Sequence, residues 1–334
     1  MPQASIREVA KRAGVSVGTV SNVLNRPDLV AEETRVRVLS AIDELGFVRN
    51  ESARRLRQGP PARSRAFGVL IEDVANPYYT DVAQGAESAL NAEGVDVIWC
   101  TSNGSADKEH RALELLVEQR VAGVLITPIG LGDDRLARLH AQGMAVVVLD
   151  RHQHPADVCS ARVDHVAGGE IAVDHLLRLG HDRIAFVTGG PDSDPARERR
   201  DGAVRALARA GGRELVSVVE ATMTATAGQQ AARRLLDMAP APSAVFCAND
   251  LLAIGVINEL LRYGVKVPEE IAVIGYDDIE LAATAAVPLT TVRQPRHELG
   301  RAGARLALAE AREGVDHRHR HVVLTPELII RNSG

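Results

Sequence analysis

The sequence contains few cysteines and a single tryptophan. Cys100, Cys159 and Cys247 lie far apart among 334 residues, each within an apolar stretch. An odd number of widely spaced cysteines argues against a disulfide framework and against a cysteine-ligated metal, so we expect three core thiols. Trp99 also lies in a strand-like run and is expected in the core.

Signals for export, membrane insertion and catalysis are missing. No apolar run approaches the roughly 18 residues that a membrane span requires, and the first residues lack the basic start and apolar stretch of a signal peptide. The chain has no Gly-Lys dipeptide, G-x-G-x-x-G or H-E-x-x-H motif. A G-x-S-x-G match at residues 14–18 follows a helix instead of the strand that a hydrolase elbow needs. We expect a cytoplasmic protein without catalytic residues or a cofactor.

Charge is distributed unevenly along the chain. Residues 1–65 carry 12 Lys and Arg against 7 Asp and Glu, a net charge of +5, whereas the whole chain has a net charge of −5. The difference of −10 belongs to the remaining residues. This asymmetry predicts a small nucleic-acid-binding unit joined to an acidic body, although a basic solvated tail would carry the same charge.

The basic segment has the pattern of three short helices. Ser5-Ile6-Arg7-Glu8 is a capping box that begins a helix, and Gly14 suits the left-handed residue that ends it. Ser16 caps a second helix, and a third is predicted from about Glu32 to Leu45. Three helices with a glycine turn between the first two form a helix-turn-helix. The apolar face of the third helix is predicted to carry Val36, Leu39, Ile42 and Leu45.

Residues 50–58 are predicted to form a helix only conditionally. They are too few for a stable isolated helix, and Gly59-Pro60-Pro61 separates them from the body. Three arginines surround Leu56, an arrangement that suits phosphates on either side of an apolar wedge in a minor groove. A solvated linker is the alternative.

From Arg65 onward, apolar strand-like runs alternate with helical stretches. The alternation predicts parallel βαβ units in two successive sets. The expected fold is therefore an all-α helix-turn-helix domain plus an α/β two-lobed core with two doubly wound parallel sheets. Ligands of such sheets bind beyond the carboxyl ends of the strands, so the cleft between the lobes is the default site. The predicted strands are 66–72, 95–100, 121–127, 145–149, 184–188, 215–219, 244–247, 272–274 and, last, 322–330.

Polar side chains follow predicted strands in both lobes. Carboxylates, amides and arginine can bind vicinal hydroxyls, and an aromatic face can cover the C–H side of a sugar ring. The strand ends therefore suit a polyol, while helix capping is the alternative for any single Asn or Asp. These residues are Asn76, Tyr78, Tyr79, Asp150, Arg151, Asn249, Asp250, Tyr276 and Asp277.

Six motifs along the chain share one family pattern: Val9-Ala10, Gly14-Val15-Ser16, Thr19-Val20-Ser21, Val23-Leu24-Asn25, Ala53-Arg54-Arg55-Leu56 and Gly275-Tyr276-Asp277. With them the chain resembles the lactose-repressor (LacI/GalR) family of bacterial transcription regulators over nearly its whole length. The resemblance implies a repressor that binds a near-palindromic operator as a homodimer. It also implies a hinge helix that orders on DNA and an effector-binding core similar to periplasmic sugar-binding proteins.

The pattern and the resemblance together divide the chain into three parts. We expect a DNA-binding domain at 1–48, a hinge helix and linker at 49–64, and an effector-binding core at 65–334. Within the core, the N-lobe is expected at about 65–162 and 294–321. The C-lobe is expected at about 163–293 and 322–334.

By resemblance, the second helix reads the operator. Val17, Gly18 and Asn22 occupy base-reading positions, and because Gly18 has no side chain and Val17 is apolar, Asn22 is the expected hydrogen-bonding reader. Leu56 matches the leucine that wedges a central base step, with Ala53 beside it. Further implied DNA contacts are Ser16, Thr19, Ser21, Asn25, Asn50 and Arg55.

The resemblance also assigns effector-binding positions. Arg199, which precedes Gly202 by three residues, Asn249, Asp277 and Gln294 match effector contacts of the family. The first-lobe set Asn76, Tyr78, Tyr79, Asp150 and Arg151 resembles the ribose-binding branch, which implies a pentose or related sugar. A purine- or nucleoside-responsive, co-repressed regulator of the same family is the alternative, since Arg and Asp at these positions also occur with purines and hexoses.

The C-terminal region carries two further expectations. His317, His319 and His321 alternate in an extended stretch, but Arg318 and Arg320 between them would repel a cation, so no metal site is expected. No leucine heptad follows the last predicted strand, which favours a dimer over a coiled-coil tetramer.

The two-lobed core by itself would also suit two other classes of protein. A metabolic enzyme would need a nucleophile or cofactor loop, and none is recognisable among the motifs. A solute-binding receptor that serves a transporter would need a signal peptide and no helix-turn-helix. A sequence-specific DNA-binding regulator is therefore the expected function.

Overall fold

The computed structural model describes residues 4–47, 66–130, 132–151, 158–190, 194–211 and 215–334. The chain divides into two compact units, Met1–Ala62 and Arg63–Gly334. No helix in these described ranges is long and apolar enough to cross a membrane. The predicted hinge helix, with the expected DNA contacts Asn50, Ala53, Arg55 and Leu56, falls outside the described residues.

The first unit contains the predicted helix-turn-helix. Helix α1 (Ile6–Ala13) begins at the capping box, where the Ser5 backbone N–H donates to Glu8 Oε2 at 2.6 Å. It ends at Gly14, whose φ of 66° is the left-handed conformation that glycine adopts without strain. Helices α2 (Val17–Asn25) and α3 (Glu32–Glu44) follow, with a 3₁₀ turn (Pro27–Leu29) between them.

The buried face of α3 differs from the predicted one. Val38 and Ala41 are buried in the small core of this unit, whereas Val36 and Leu39 are 55% and 49% exposed. The helix carries apolar residues on two adjacent stripes, and packing against Val9 of α1 selects the stripe with the smaller side chains. Ile42 and Leu45 are partly buried beside this core.

The first lobe of the second unit is built on a six-stranded parallel sheet with the order β11-β5-β4-β3-β1-β2, in which β11 comprises His321–Leu324. Its first five strands are β1 (Ala66–Ile71), β2 (Asp96–Thr101), β3 (Gly123–Ile126), β4 (Ala145–Leu149) and β5 (Cys159–Val163). The helices of this lobe are α4 (Pro77–Asn91), α5 (Ala106–Glu118), α6 (Asp133–Ala141) and α12 (Arg296–Glu313). Helices α4 and α12 form one apolar layer with the sheet, and α5 and α6 form another.

The second lobe has the sheet order β12-β10-β9-β8-β6-β7. Its strands in chain order are β6 (Ile184–Gly189), β7 (Val216–Glu220), β8 (Ala244–Cys247), β9 (Ala272–Asp277), β10 (Thr290–Arg293) and β12 (Glu327–Ile329). Its helices are α7 (His165–Arg178), α8 (Asp194–Arg209), α9 (Ala225–Leu236), α10 (Asp250–Arg262) and the short α11 (Glu280–Thr284). The predicted fold class, a helical DNA-binding region plus two α/β lobes, is confirmed.

The last predicted strand, 322–330, is in fact two strands in different lobes. Strand β11 (His321–Leu324) pairs in parallel with β5, and β12 (Glu327–Ile329) pairs antiparallel with β10. Pro326 lies between them and has no N–H to continue a ladder. The passage from the first sheet to the second therefore lies at 325–326, and the expected lobe boundary after residue 321 was placed too early.

The core prediction for Trp99 was wrong, and the one for Cys100 holds only in part, because Cys100 packs against the core without being fully buried. Both lie on β2, which is the edge strand of its sheet in the part of the chain that the structure describes. Trp99 is 37% exposed, and Cys100 is partly buried. Cys159 and Cys247 are buried free thiols, as predicted.

Candidate functional site

Helix α2 has an exposed face at its amino end. Ser16, Val17, Gly18 and Asn22 are exposed, while Val20 on the opposite side is buried. These four residues therefore face away from the small core and are available to a partner surface. The sequence expectation that Val17, Gly18 and Asn22 read bases stays a prediction, and this exposure is compatible with it.

The further implied DNA contacts at the start of α2 and along it also make local hydrogen bonds. Ser16 Oγ accepts from the Thr19 backbone N–H at 3.0 Å, so Ser16 caps the helix. Asn25 Nδ2 donates to the Ser21 carbonyl oxygen at 2.8 Å and approaches Ser21 Oγ at 3.2 Å. These bonds fix the side chains in place, and each hydroxyl keeps further hydrogen-bonding capacity.

In the second unit, Asp150 is the centre of a buried polar cluster. It follows β4 with a left-handed φ of 56°. Its Oδ2 accepts from the Tyr78 hydroxyl at 2.7 Å, and its Oδ1 lies 2.9 Å from His165 Nε2. Tyr78 belongs to the first lobe and His165 begins α7 of the second, so the two lobes meet at this carboxylate.

The charge of Asp150 is stabilised by its neighbours. Burial by itself would raise the pKa of Asp150, but the adjacent His165 imidazole, the Arg199 guanidinium and the Tyr78 hydrogen bond lower it to about 2. Asp150 is consequently a carboxylate at neutral pH. It can accept hydrogen bonds from ligand hydroxyls in exchange for those it accepts from Tyr78 and His165.

Arg199 of α8 is buried beside this cluster. Its Nη1 donates to the Ala248 carbonyl oxygen at 2.5 Å, and its Nε lies 3.4 Å from His165 Nδ1. The guanidinium lies over the Tyr276 ring, 4.0 Å from the centroid, which is cation–π geometry. The guanidinium is thus held from three directions, as a ligand-binding arginine needs to be.

Close packing of α7 and α8 sets the position of Arg199. A methyl group at Gly169 would lie 2.0 Å from the Arg199 carbonyl oxygen, and one at Gly202 would lie 2.1 Å from the Val166 carbonyl oxygen. Only glycine permits this approach of the two backbones. Gly202, three residues after Arg199, therefore has a direct structural role in the site.

Asp277 and Gln294 form the second-lobe part of the cluster. Gln294 Nε2 donates to Asp277 Oδ1 at 2.6 Å, and both residues are buried. Burial raises the pKa of Asp277 to about 7, even though Arg199 and the Gln294 hydrogen bond lower it in part. Gln294 Oε1 is buried and has no hydrogen-bond partner within the described ranges. It is an acceptor that a ligand hydroxyl could satisfy.

The remaining predicted effector residues also lie at strand ends, where each makes a different local contact. Asn76 and Asn249 are N-caps that accept from the backbone N–H groups of Tyr78 at 3.0 Å and Leu252 at 2.9 Å. The Tyr79 hydroxyl donates to Glu72 Oε2 at 2.6 Å. Arg151 lies across from Asp194 of α8, with 4.0 Å between Nε and Oδ2.

Sequence reasoning missed His165 and took Asp250 for a possible ligand residue. Strand β5 was not among the predicted strands, although the rule of polar residues at strand ends, applied to 159–163, would have found His165. Asp250 instead accepts from Thr291 Oγ1 at 2.5 Å and from the Ile279 backbone N–H at 2.9 Å. It joins three elements of the second lobe and is a structural residue.

Comparisons with known proteins agree with this architecture. Residues 5–50 match the model described as bacterial regulatory proteins, lacI family, and 173–334 match the periplasmic binding protein-like domain. The HTH-type transcriptional repressor PurR of Aliivibrio salmonicida is 32% identical, over 99% of this chain and 98% of its own length. The ribose operon repressor of Escherichia coli is 34% identical over 99% of both chains.

A solved structure is similar to this chain as well. The lac repressor dimer bound to operator and the anti-inducer ONPF is similar with a TM-score of 0.81 and 27% identity, over 99% of both chains. The helix-turn-helix and the two doubly wound lobes agree with relatives that match nearly the whole chain at over 30% identity. The chain therefore belongs to the LacI family of bacterial regulatory proteins and is a DNA-binding transcriptional regulator.

Proposed function

We propose that this regulator is a homodimeric repressor of a near-palindromic operator, and that a pentose or related sugar bound between its core lobes changes its operator affinity. The observation that carries the proposal is the buried polar cluster in which Asp150 of the first lobe contacts His165 of the second and His165 contacts Arg199. The Asp277 carboxyl group of the second lobe is buried as well. One ligand that touches both carboxyl groups would favour one arrangement of the lobes over another. Such differential affinity is what a binding switch requires.

The chemistry of the cluster favours a polyhydroxylated ligand. Carboxylates, an amide and a guanidinium can each bind a hydroxyl or a pair of vicinal hydroxyls. The unpaired acceptor Gln294 Oε1 adds one further site for a donor. The ribose operon repressor among the relatives supports a pentose as the first candidate.

The aromatic residues argue against the alternative, a purine or nucleoside. A flat base needs an open aromatic face on which to stack. One face of Tyr276 is occupied by Arg199, and the Tyr78 and Tyr79 rings meet edge to face with 5.1 Å between centroids. The cluster therefore offers more hydrogen-bonding groups than stacking surface.

A thermal-shift screen of the full chain tests the ligand class. D-ribose, other pentoses, hexoses, nucleosides and purine bases are compared, and a ligand at about 100 times its Kd should stabilise the protein by roughly 2.7 kcal/mol. Fluorescence anisotropy with an operator-like duplex then measures DNA affinity with and without the hit. A shift with purines or nucleosides alone would establish the alternative, and no change in DNA affinity with a bound sugar would contradict the switch.

A further inference from the structure

A second cluster of polar side chains lies in the first lobe, apart from the residues of the cleft. Cys159 begins β5, Glu310 lies in the last turn of α12, and His317 and His319 lie in the segment that leads to β11. One ligand atom from each of these four residues lies within 4.8 Å of the others. The four residues are called the Cys159 cluster below.

Two distances in the Cys159 cluster are close to those between the ligands of a tetrahedral metal ion. Cys159 Sγ lies 3.1 Å from His317 Nε2 and 3.8 Å from His319 Nδ1. Bonds of about 2.3 Å to sulfur and about 2.0 Å to nitrogen place tetrahedral ligand atoms roughly 3.3 to 3.6 Å apart. The four ligand atoms all lie within 4.8 Å of one another, so rotations of the side chains could bring them onto one ion.

Glu310 provides an independent observation. It is 4% exposed, and its Oε1 accepts from the Val146 backbone N–H at 3.2 Å and lies 3.3 Å from His140 Nε2. Its other oxygen, Oε2, is buried without a hydrogen-bond partner in the part of the chain that the structure describes. A buried carboxylate oxygen left unpaired is costly, and a bound cation would satisfy it.

His317 is already oriented as a metal-binding histidine. Its side chain is 1% exposed, and its Nδ1 lies 2.7 Å from Glu313 Oε2. A carboxylate on one ring nitrogen fixes the tautomer that leaves the other nitrogen as a lone-pair donor. That other nitrogen, Nε2, is the atom that faces Cys159.

The two arginines between the histidines are exposed in the folded chain. Arg318 and Arg320 were expected to repel a cation, but both residues are exposed, whereas the His317 side chain is buried. Alternation along an extended segment separates the two sets of side chains. His321 lies outside the cluster, with its Nδ1 at 3.0 Å from Ser160 Oγ.

We propose that Cys159, Glu310, His317 and His319 form a binding site for a divalent transition-metal ion, for which Zn²⁺ is the best fit. A thiolate with two imidazoles favours zinc over the harder Mg²⁺ and Ca²⁺. Four protein ligands leave no open position, so the ion has a structural role. The ion would join β5, the end of α12 and the segment before β11. After β11 the chain passes into the second lobe.

Cobalt titration of the full-length, chelator-treated protein tests the site directly. One equivalent of Co²⁺ should produce visible d–d bands of tetrahedral intensity together with a near-ultraviolet thiolate-to-cobalt band, and Zn²⁺ should displace both. Cys159→Ser should lose the thiolate band, and His319→Gln should weaken Zn²⁺ binding. Glu313→Gln, which removes only the partner of His317, should weaken it by roughly 10- to 100-fold.

Two matched controls separate this site from adventitious binding. Cys100→Ser removes the partly buried thiol on β2, and His321→Ala removes the next histidine of the alternating series. Both variants should keep the parent spectrum and affinity. Circular dichroism verifies that each variant is folded. Absence of one-to-one binding by the folded parent, or an unchanged thiolate band in folded Cys159→Ser, would overturn the proposal.

Discussion

Asp150 and Asp277 show how two carboxyl groups in one cluster acquire opposite properties. Asp150 has its pKa lowered to about 2 despite burial because His165 and Arg199 adjoin it. Asp277 is also buried, but its neighbours offset the effect of burial less fully, so its pKa is raised to about 7. A ligand of this cluster therefore meets one full charge and one group that titrates near neutrality.

The raised pKa of Asp277 predicts a pH dependence of stability. Because the folded state holds the proton more tightly than the unfolded chain, whose Asp titrates near 3.9, the free energy of unfolding should fall as pH rises from about 4 to about 7. Asp277→Asn should remove up to about 1.4 kcal/mol per pH unit of this slope. Denaturant unfolding with a chelator present, from pH 4 to 8, measures it.

Glu310 should contribute separately to the same pH dependence. Burial raises its pKa to about 7 as well, so Glu310→Gln should remove a separate share of the slope in the same pH window. The lowered pKa of Asp150 has the opposite effect on stability, because the free energy of unfolding falls as the pH drops below about 4. If Asp277→Asn keeps the full slope of the parent, the assignment to Asp277 is wrong.

On helix α2, the exposed Asn22 is the expected base reader. Asn22→Ala should relax base preference at one position of each operator half-site, at a cost of roughly 1 to 3 kcal/mol, because Asn22 has the only polar side chain among the three residues predicted to read bases. Binding to a series of single-base operator variants measures the preference. The same preference in parent and variant would refute this role.

At the scale of elements, glycine pairs determine how closely helices pack. Gly85 and Gly300 allow α4 and α12 to approach closely, just as Gly169 and Gly202 do for α7 and α8. Gly228 and Gly255 do the same for α9 and α10. In each pair an added methyl group would meet backbone of the opposite helix, so three helix pairs follow one packing rule.

Gly202→Ala is predicted to disturb the site through its helix. The added methyl would lie 2.1 Å from the Val166 carbonyl oxygen, so α8 must shift, at a cost of roughly 1 to 3 kcal/mol. Because Arg199 is one turn earlier on α8, effector affinity should fall too. Calorimetry with the sugar identified by screening measures both effects.

Gly132 offers a control glycine in the same unit. An added methyl there meets nothing within 4 Å, and its φ of −72° suits any residue. Gly132→Ala should change stability by less than about 1 kcal/mol and leave ligand affinity unchanged. If Gly202→Ala is as mild as Gly132→Ala, the close approach of α7 and α8 does not position Arg199.

At the scale of the whole molecule, Arg199 is predicted to couple ligand and DNA. Arg199→Ala should abolish the response to effector by removing hydrogen bonds worth about 2 to 3 kcal/mol, yet leave operator affinity without ligand unchanged. Titration on operator DNA with and without effector measures the coupling. By linkage, operator should change effector affinity by the same factor in the parent.

The adjacent Arg200 is the matched control. It is exposed, and its Nη2 lies 3.9 Å from Asp201 on the surface of α8. Arg200→Ala should respond to effector like the parent. Ligand-driven release that survives in Arg199→Ala would eliminate Arg199 as the coupling residue, and tighter DNA binding with ligand in the parent would identify a co-repressor.

Local sequence determined the features that depend on neighbouring residues. The capping box at Ser5, the left-handed Gly14 and the cap at Ser16 act within one helical turn, so the helix-turn-helix could be predicted from spacing. The alternation of apolar strands with helices likewise predicted two doubly wound lobes. Polar residues at strand ends identified Asp150 and Asp277, because parallel strands bring their carboxyl ends to one edge.

Tertiary structure decided what depends on contacts distant in sequence. Helix α3 carries two apolar stripes, and only packing against α1 selects the one with Val38. The division of 322–330 into two strands depends on which sheet edge each half meets. Cys159 and His317 are 158 residues apart, so their contact could not be found from periodicity, which reports only local geometry.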